Sequence, residues 1–300
     1  MKILVFGSIN IDHVYQVEHF VRPGETLAST GYQRFCGGKG ANQAVALART
    51  GIATFMAGKI GRDGEWTRDY LARAGVDVSG VQIWEGPSGV AIIQLTPQGE
   101  NSILLLGGAN HTITVEDVDA GLRSFSAGDL LLAQNEISSM PDVLRKAKEK
   151  GLKVFFNPAP MNSTVKTYPL DCVDYLIVNE TEGMELTGKT SPKDSLVALR
   201  KDFPHAAIVQ TMGSEGVLYA DESGEMHIPA LRVKAVDTTA AGDTFIGYFM
   251  ASLASGMEVR TSLERATSAA ALKITRMGAV LSIPTAEEVD AFTVRGKVKQ

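Results

Sequence analysis

From Asp129 onward, short apolar runs alternate with longer amphipathic stretches, and this rhythm limits the fold more than any other feature of the chain. Residues 130–134, 154–157, 175–178 and 207–211 read as strands, and 140–150 and 196–202 as helices. Strands separated by crossover helices pair in parallel, so the expected class is α/β: a central, mostly parallel sheet flanked by helices. Residues 2–7 and 53–60 read as further buried strands and 67–74 as a helix. A chain of 300 residues, 44% hydrophobic and 21% charged, can bury such a core.

A second pattern interrupts the first. Residues 14–35 alternate as strands do, with a turn at Pro23-Gly24, and 90–96 and 101–106 flank Pro97-Gln98-Gly99-Glu100 as a hairpin. Pairing the two regions gives a small sheet inserted at about 13–36 and 88–108 into one domain spanning 1–300. Only the end, 295–300, reads as frayed.

Chemistry concentrates at turns after strands. In AVDTTAAGDTFIG, residues 235–247, the chain leaves an expected strand at 233–236, passes the small residues Ala240, Ala241 and Gly242, and enters a helix over 244–253. A helix start offers unpaired N–H groups and a partial positive charge, and small residues let an anion reach them. Asp243 would face that anion, where a carboxylate is repelled unless it takes a proton from an attacking hydroxyl; capping the helix is its other reading. Asp12, after the first strand, is either a ligand for substrate hydroxyls or part of an exposed Asx turn. In Gly37-Gly38-Lys39-Gly40-Ala41-Asn42 the glycines admit a ligand to the main chain and Asn42 offers it a donor and an acceptor, unless the stretch is a plain turn before a helix at 43–49. Glu136 follows a strand. Asn179 and Glu182 have the spacing of a capping box, and Thr211, Gly213, Ser214 and Gly216 form a turn between strands.

Several classes are excluded. A net charge of −5 with dispersed Lys and Arg argues against nucleic-acid and anionic-membrane partners. Cys36 and Cys172 lack C-x-x-C spacing and read as free thiols, and the five histidines lack metal-ligand spacing. No stretch reaches the roughly 18 apolar residues of a membrane helix, so a cytoplasmic protein is expected. Lys39 is followed by Gly40, not Ser or Thr, so there is no Walker A, and no G-x-G-x-x-G supports a nicotinamide enzyme.

DTTAAGDTF, GSINIDH and GGKGANQAVA together resemble the signatures of the ribokinase-like (pfkB) carbohydrate kinases, with Ala240 where the commoner form has glycine. The resemblance runs from Lys2 to about Phe292. It implies a small sheet acting as a lid and ATP-dependent phosphorylation of a free sugar, ribose foremost, with deoxyribose, fructose or a nucleoside as alternatives. It makes Asp243 the base; Asp12, Gly38, Asn42 and Glu136 sugar ligands, with Lys39 a further contact; and Asn179, Thr211, Gly213, Ser214, Gly216, Gly242 and Thr267 nucleotide ligands. It also implies magnesium organised by Glu182 through water, a homodimer formed through the lid, and potassium held by Asp237, Thr239, Lys273, Arg276, Gly278 and Ser282. A catalytically inactive sugar- or nucleotide-binding protein is the non-enzymatic alternative.

Overall fold

The computed structural model describes residues 1–297, with side chains to 293. Its large sheet is formed by β1 (Ile3–Phe6), β4 (Thr54–Gly61), β5 (Val76–Trp84), β8 (Leu130–Gln134), β9 (Lys153–Asn157), β10 (Tyr175–Asn179), β11 (Ala207–Thr211), β12 (Val217–Asp221) and β13 (Gly224–Ile228). The order across the sheet is β13-β12-β11-β10-β9-β8-β1-β4-β5. Pairing is parallel from β5 to β11, and β12 and β13 close one edge antiparallel. β1 is buried along its whole length, as a strand covered on both faces must be. Alternate side chains of β8, Leu130 and Leu132 against Leu131 and Ala133, feed two separate apolar clusters, one on each face of the sheet.

Helices α1 (Lys39–Ala48), α2 (Glu65–Arg73), α3 (Val115–Leu122), α4 (Met140–Glu149), α5 (Glu180–Thr187), α6 (Pro192–Asp202), α7 (Ala241–Ala254), α8 (Val259–Ile274) and α9 (Ala286–Lys297) flank that sheet. α9 therefore continues to Lys297 where fraying was expected; the rest of that stretch, 298–300, lies outside the described residues. The four-stranded second sheet, ordered β3-β2-β6-β7, joins β2 (Asn10–Gln16) and β3 (Gly31–Gly37) to β6 (Gly89–Leu95) and β7 (Asn101–Leu106). β2 pairs β6 in parallel, so the strand after β1 and the hairpin some eighty residues on do share a sheet.

Two expectations need correction. Residues 233–236 are not strand: the chain from 229 to 240 is irregular, because Val236 and Asp237 donate their N–H groups to the carbonyl of Ile274 at the end of α8 and not to a neighbouring strand. α1 begins at Lys39, four residues before the predicted 43, so Lys39–Asn42 form its first turn. Gly38 precedes it at φ 90°, a left-handed conformation that favours glycine, and a Cβ on Gly40 would meet the main chain of Gly7 and Ser8 within 2.7 Å.

Candidate active site

The open ends of β1, β8, β10 and β11 converge with the first turns of α1 and α7 on one polar cleft, where an open parallel sheet collects ligands. At its centre is Asp243, in the first turn of α7 and 9% exposed. Its Oδ2 accepts from Asn42 Nδ2 at 2.8 Å and its Oδ1 from Gln43 Nε2 at 2.9 Å. Gln43 Oε1 in turn accepts from Gln134 Nε2 of β8 at 2.7 Å, so a buried amide relay from two other elements fixes the carboxylate. Capping is not the role of Asp243: it lies inside the helix, and the N-cap position is Ala240. Ala240 adopts φ 59°, left-handed for a residue with a Cβ, which costs about 1–2 kcal/mol and marks a backbone held in place by its surroundings.

Two other carboxylates approach, Asp12 from the small sheet and Glu136 from the end of β8. Asp12 lies within β2, not in a turn, and a Cβ on Gly37 would collide with its carboxylate. Burial, then the charges of Glu136 and Asp243, push the Asp12 carboxyl up to about 7. Glu136 Oε2 accepts from the N–H of Lys39 at 3.0 Å and from the Ser8 hydroxyl, and burial raises its pKa. Burial alone would lower the Lys39 pKa, but Asp243, Glu136 and Glu182 outweigh it and hold the ammonium above its usual range. Asn42 Oδ1 is buried with no partner among the described residues, an acceptor left open beside Asp243 for a hydroxyl-bearing ligand.

Two cavities meet at the start of α7. A polar one of about 160 Å³ is lined by Lys39, Asn179, Glu182, Thr211, Gly242 and Asp243 among others. A mostly apolar one of about 650 Å³ runs from Thr211, Gly213, Ser214 and Gly216 past Leu231 and Val233 to Thr267, whose buried hydroxyl is unpartnered. Thr211, Thr238, Ala241 and Gly242 line both. A flat apolar base fits the larger space and anionic phosphates the smaller, with their junction over the N–H groups of α7. Asn179 caps α5 by accepting from Glu182 N at 2.8 Å, while Glu182 Oε2 accepts from Asn179 N at 2.9 Å, so the capping box aims both residues at the polar cavity. Glu182 Oε1 has no protein donor among the described residues, and burial raises the group's pKa; one carboxylate with a free oxygen suits water-mediated contact with magnesium carried on phosphates.

The residues expected to hold potassium do gather, but not as an open oxygen cage. Asp237 Oδ1 accepts from Thr239 N at 2.9 Å and Oδ2 from Gly278 N at 2.8 Å. The carbonyl of Lys273 accepts from Arg276 N, that of Gly278 from the Ser282 hydroxyl, and the Arg276 side chain pairs with Glu288 at 2.7 Å. The Lys273 ammonium itself donates to the carbonyl of Asp237 at 2.8 Å, so this residue brings a positive charge to the group. A cation is thus already in contact with the Asp237 carbonyl, which makes this group of oxygens a poor cage for an alkali ion. The sequence reading also missed Gln43 and Gln134, although Gln43 lies within the GGKGANQAVA signature.

A nucleotide-shaped cavity, a helix N-terminus at its phosphate end and a carboxylate ready to accept a hydroxyl proton define a phosphotransferase with an alcohol acceptor. The chain belongs to the pfkB family of carbohydrate kinases, whose model matches residues 1–286. It is 37% identical to ribokinase of Haemophilus influenzae over 96% of this chain and 97% of that one. It is 33% identical to deoxyribokinase of Salmonella typhimurium, covering 97% and 98%. Among solved structures it resembles Arabidopsis thaliana ribokinase complexed with ribose and ATP, with a TM-score of 0.88 and 29% identity over 97% of this chain and 98% of that one. It is thus an ATP-dependent sugar kinase.

Proposed function

We propose that this chain phosphorylates free ribose at its primary hydroxyl, giving ribose 5-phosphate. The observation that carries the reading is the convergence on Asp243 of three features: an open acceptor on Asn42, the raised carboxyl of Asp12, and the junction of the two cavities. Asp12, Gly38, Asn42 and Glu136 would hold the sugar hydroxyls, and Lys39 would approach the transferring phosphoryl. Asn179, Thr211, Gly213, Ser214, Gly216 and Thr267 would hold the nucleotide. Asp243 takes the proton of the attacking hydroxyl, and the N–H groups at Ala240 and Gly242 stabilise charge developing on the phosphoryl oxygens, while that of Ala241, expected to join them, donates to the Thr238 carbonyl at 3.1 Å. Glu182 would help hold magnesium through water, and the ion would supply charge neutralisation on the phosphates.

The small sheet would cover the sugar as a lid. Its edge strand β7 exposes Ile103, Leu104, Leu105 and Leu106 at 52–68%, an apolar edge that supports pairing with a second copy. No helix among the described residues is long and apolar enough to cross a membrane. Potassium activation does not enter this reading, since an ammonium already bonds the Asp237 carbonyl and backbone N–H groups hold its carboxylate.

ADP release measured across ribose, deoxyribose, fructose, adenosine and fructose 6-phosphate tests the substrate. Ribose is expected to give the highest kcat/KM; a rank about a hundredfold below another sugar would replace the assignment. Deoxyribose is the specific competitor, because a deoxyribokinase is related at 33% identity.

A further inference from the structure

Lys273 is among the largest wholly buried side chains, with 0% of its surface exposed. A buried ammonium is expensive unless it is paired, and among the described residues this one makes a single hydrogen bond, to the carbonyl of Asp237. Two further features offset its charge. It sits in the last turn of α8, where the helix dipole is negative, and Asp237, whose carboxylate is held by the N–H groups of Thr239 and Gly278, lies close by; burial lowers the Lys273 pKa and the Asp237 charge offsets part of that lowering. Asp237 begins the turn that runs through Thr238 and Thr239 to Ala240 and the anion hole; Ala241 N donates to the Thr238 carbonyl at 3.1 Å. A positive charge therefore bonds the first carbonyl of the segment whose conformation sets the start of α7.

We propose that the Lys273 ammonium is a built-in cation that takes the place of a monovalent metal ion beside the anion hole, making turnover in this chain independent of potassium. Lys273 is a positioning residue: it touches neither nucleotide nor sugar, and it acts by ordering residues 237–240. The side chain supplies the charge on the Asp237 carbonyl, while the Asp237 carboxylate accepts from Thr239 N and Gly278 N, the Lys273 carbonyl from Arg276 N and the Gly278 carbonyl from the Ser282 hydroxyl.

The test compares wild type, Lys273→Ala and Lys273→Met in potassium, rubidium and tetramethylammonium chloride at equal ionic strength and constant magnesium. Three readouts are taken: Tm, anomalous density in rubidium-soaked crystals, and kcat/KM. The wild type is expected to show the same Tm and activity in every salt and no rubidium peak beside the Asp237 carbonyl. Lys273→Ala vacates the space and is expected to lose about tenfold or more in kcat/KM in tetramethylammonium, to regain it in potassium with a rise in Tm, and to show the rubidium peak. Lys273→Met fills the space without charge and is expected to lose activity in all three salts. Potassium activation or a rubidium peak in the wild type would overturn the proposal, as would a Lys273→Ala enzyme that loses nothing in tetramethylammonium. The wild-type arms decide the question even if neither variant folds, and Tm and rubidium density do not depend on which sugar is the substrate.

Discussion

Replacing Asp243 by Asn should separate folding from chemistry, because the surroundings of this carboxylate can accommodate an amide. As the side chains stand, both oxygens accept, from Asn42 Nδ2 and Gln43 Nε2, so an Asn at 243 would set one NH₂ against a donor. Asn42 can resolve the clash. Its Oδ1 has no partner, and turning the amide over presents that oxygen to the new NH₂, leaving the Gln43–Gln134 relay untouched. Two charge-assisted hydrogen bonds of about 1.5–3 kcal/mol each become neutral ones of about 0.5–1.5 kcal/mol. The site no longer buries a charge, which returns part of the loss. The net destabilisation should be about 1–2 kcal/mol, and at roughly 2–4 °C per kcal/mol for a large domain the Tm should fall only a few degrees. Turnover should fall far more. A positioned general base contributes about 10²- to 10⁴-fold, or about 2.7–5.4 kcal/mol of barrier at 1.36 kcal/mol per tenfold. Coupled ADP release gives kcat, and calorimetric titration with ATP checks that the nucleotide cavity survives. A variant that folds, binds ATP and keeps more than about a tenth of wild-type kcat would refute the assignment of the base.

Gly242→Ala should be as stable as wild type or more so, since a Cβ there meets no atom within 4 Å and alanine is favoured inside a helix by about 1 kcal/mol. The methyl group projects where both cavities meet, so kcat/KM for ATP should nevertheless fall about tenfold or more, and an unimpaired variant would remove the phosphate from this junction. Asp12 gives a pH prediction. With its folded pKa raised from 3.8 to about 7, the native state binds the proton more tightly than the unfolded chain, so this contribution to stability is complete below about pH 4 and is lost as pH rises through 7. Asp12→Asn should therefore raise Tm at pH 8 by the equivalent of about 1–2 kcal/mol, have little effect near pH 4, and raise the KM for the sugar. Equal Tm differences at the two pH values would show that the carboxyl titrates normally.

The elements nearest the chemistry were legible because local rules set them. The capping box from Asn179 to Glu182 closes within one turn of chain, and the small residues before Asp243 announce a helix start open to an anion. The strand expected at 233–236 failed because apolar alternation cannot tell a ladder from a cavity wall: Leu231, Val233 and Ala235 line the larger cavity instead. β5 and β13 also escaped the reading, Val76–Trp84 because its burial alternates incompletely, and Gly224–Ile228 because at an exposed edge only Ile228 is buried.

The sequence by itself determined the α/β class, most of the strands and helices along the chain and the helix start at Asp243, since periodicity, glycine placement and helix caps act over a few residues. Tertiary structure alone decided how those residues are held. Gln43 and Gln134 are 91 positions apart, and only the pairing of β8 with β1 beneath α1 brings their amides within 2.7 Å. Lys273 and Asp237 are 36 apart, and nothing local says whether a lysine near a helix end reaches solvent or turns inward. In this fold it turns inward, because the irregular chain after β13 closes over the end of α8 and leaves the ammonium the Asp237 carbonyl in place of water.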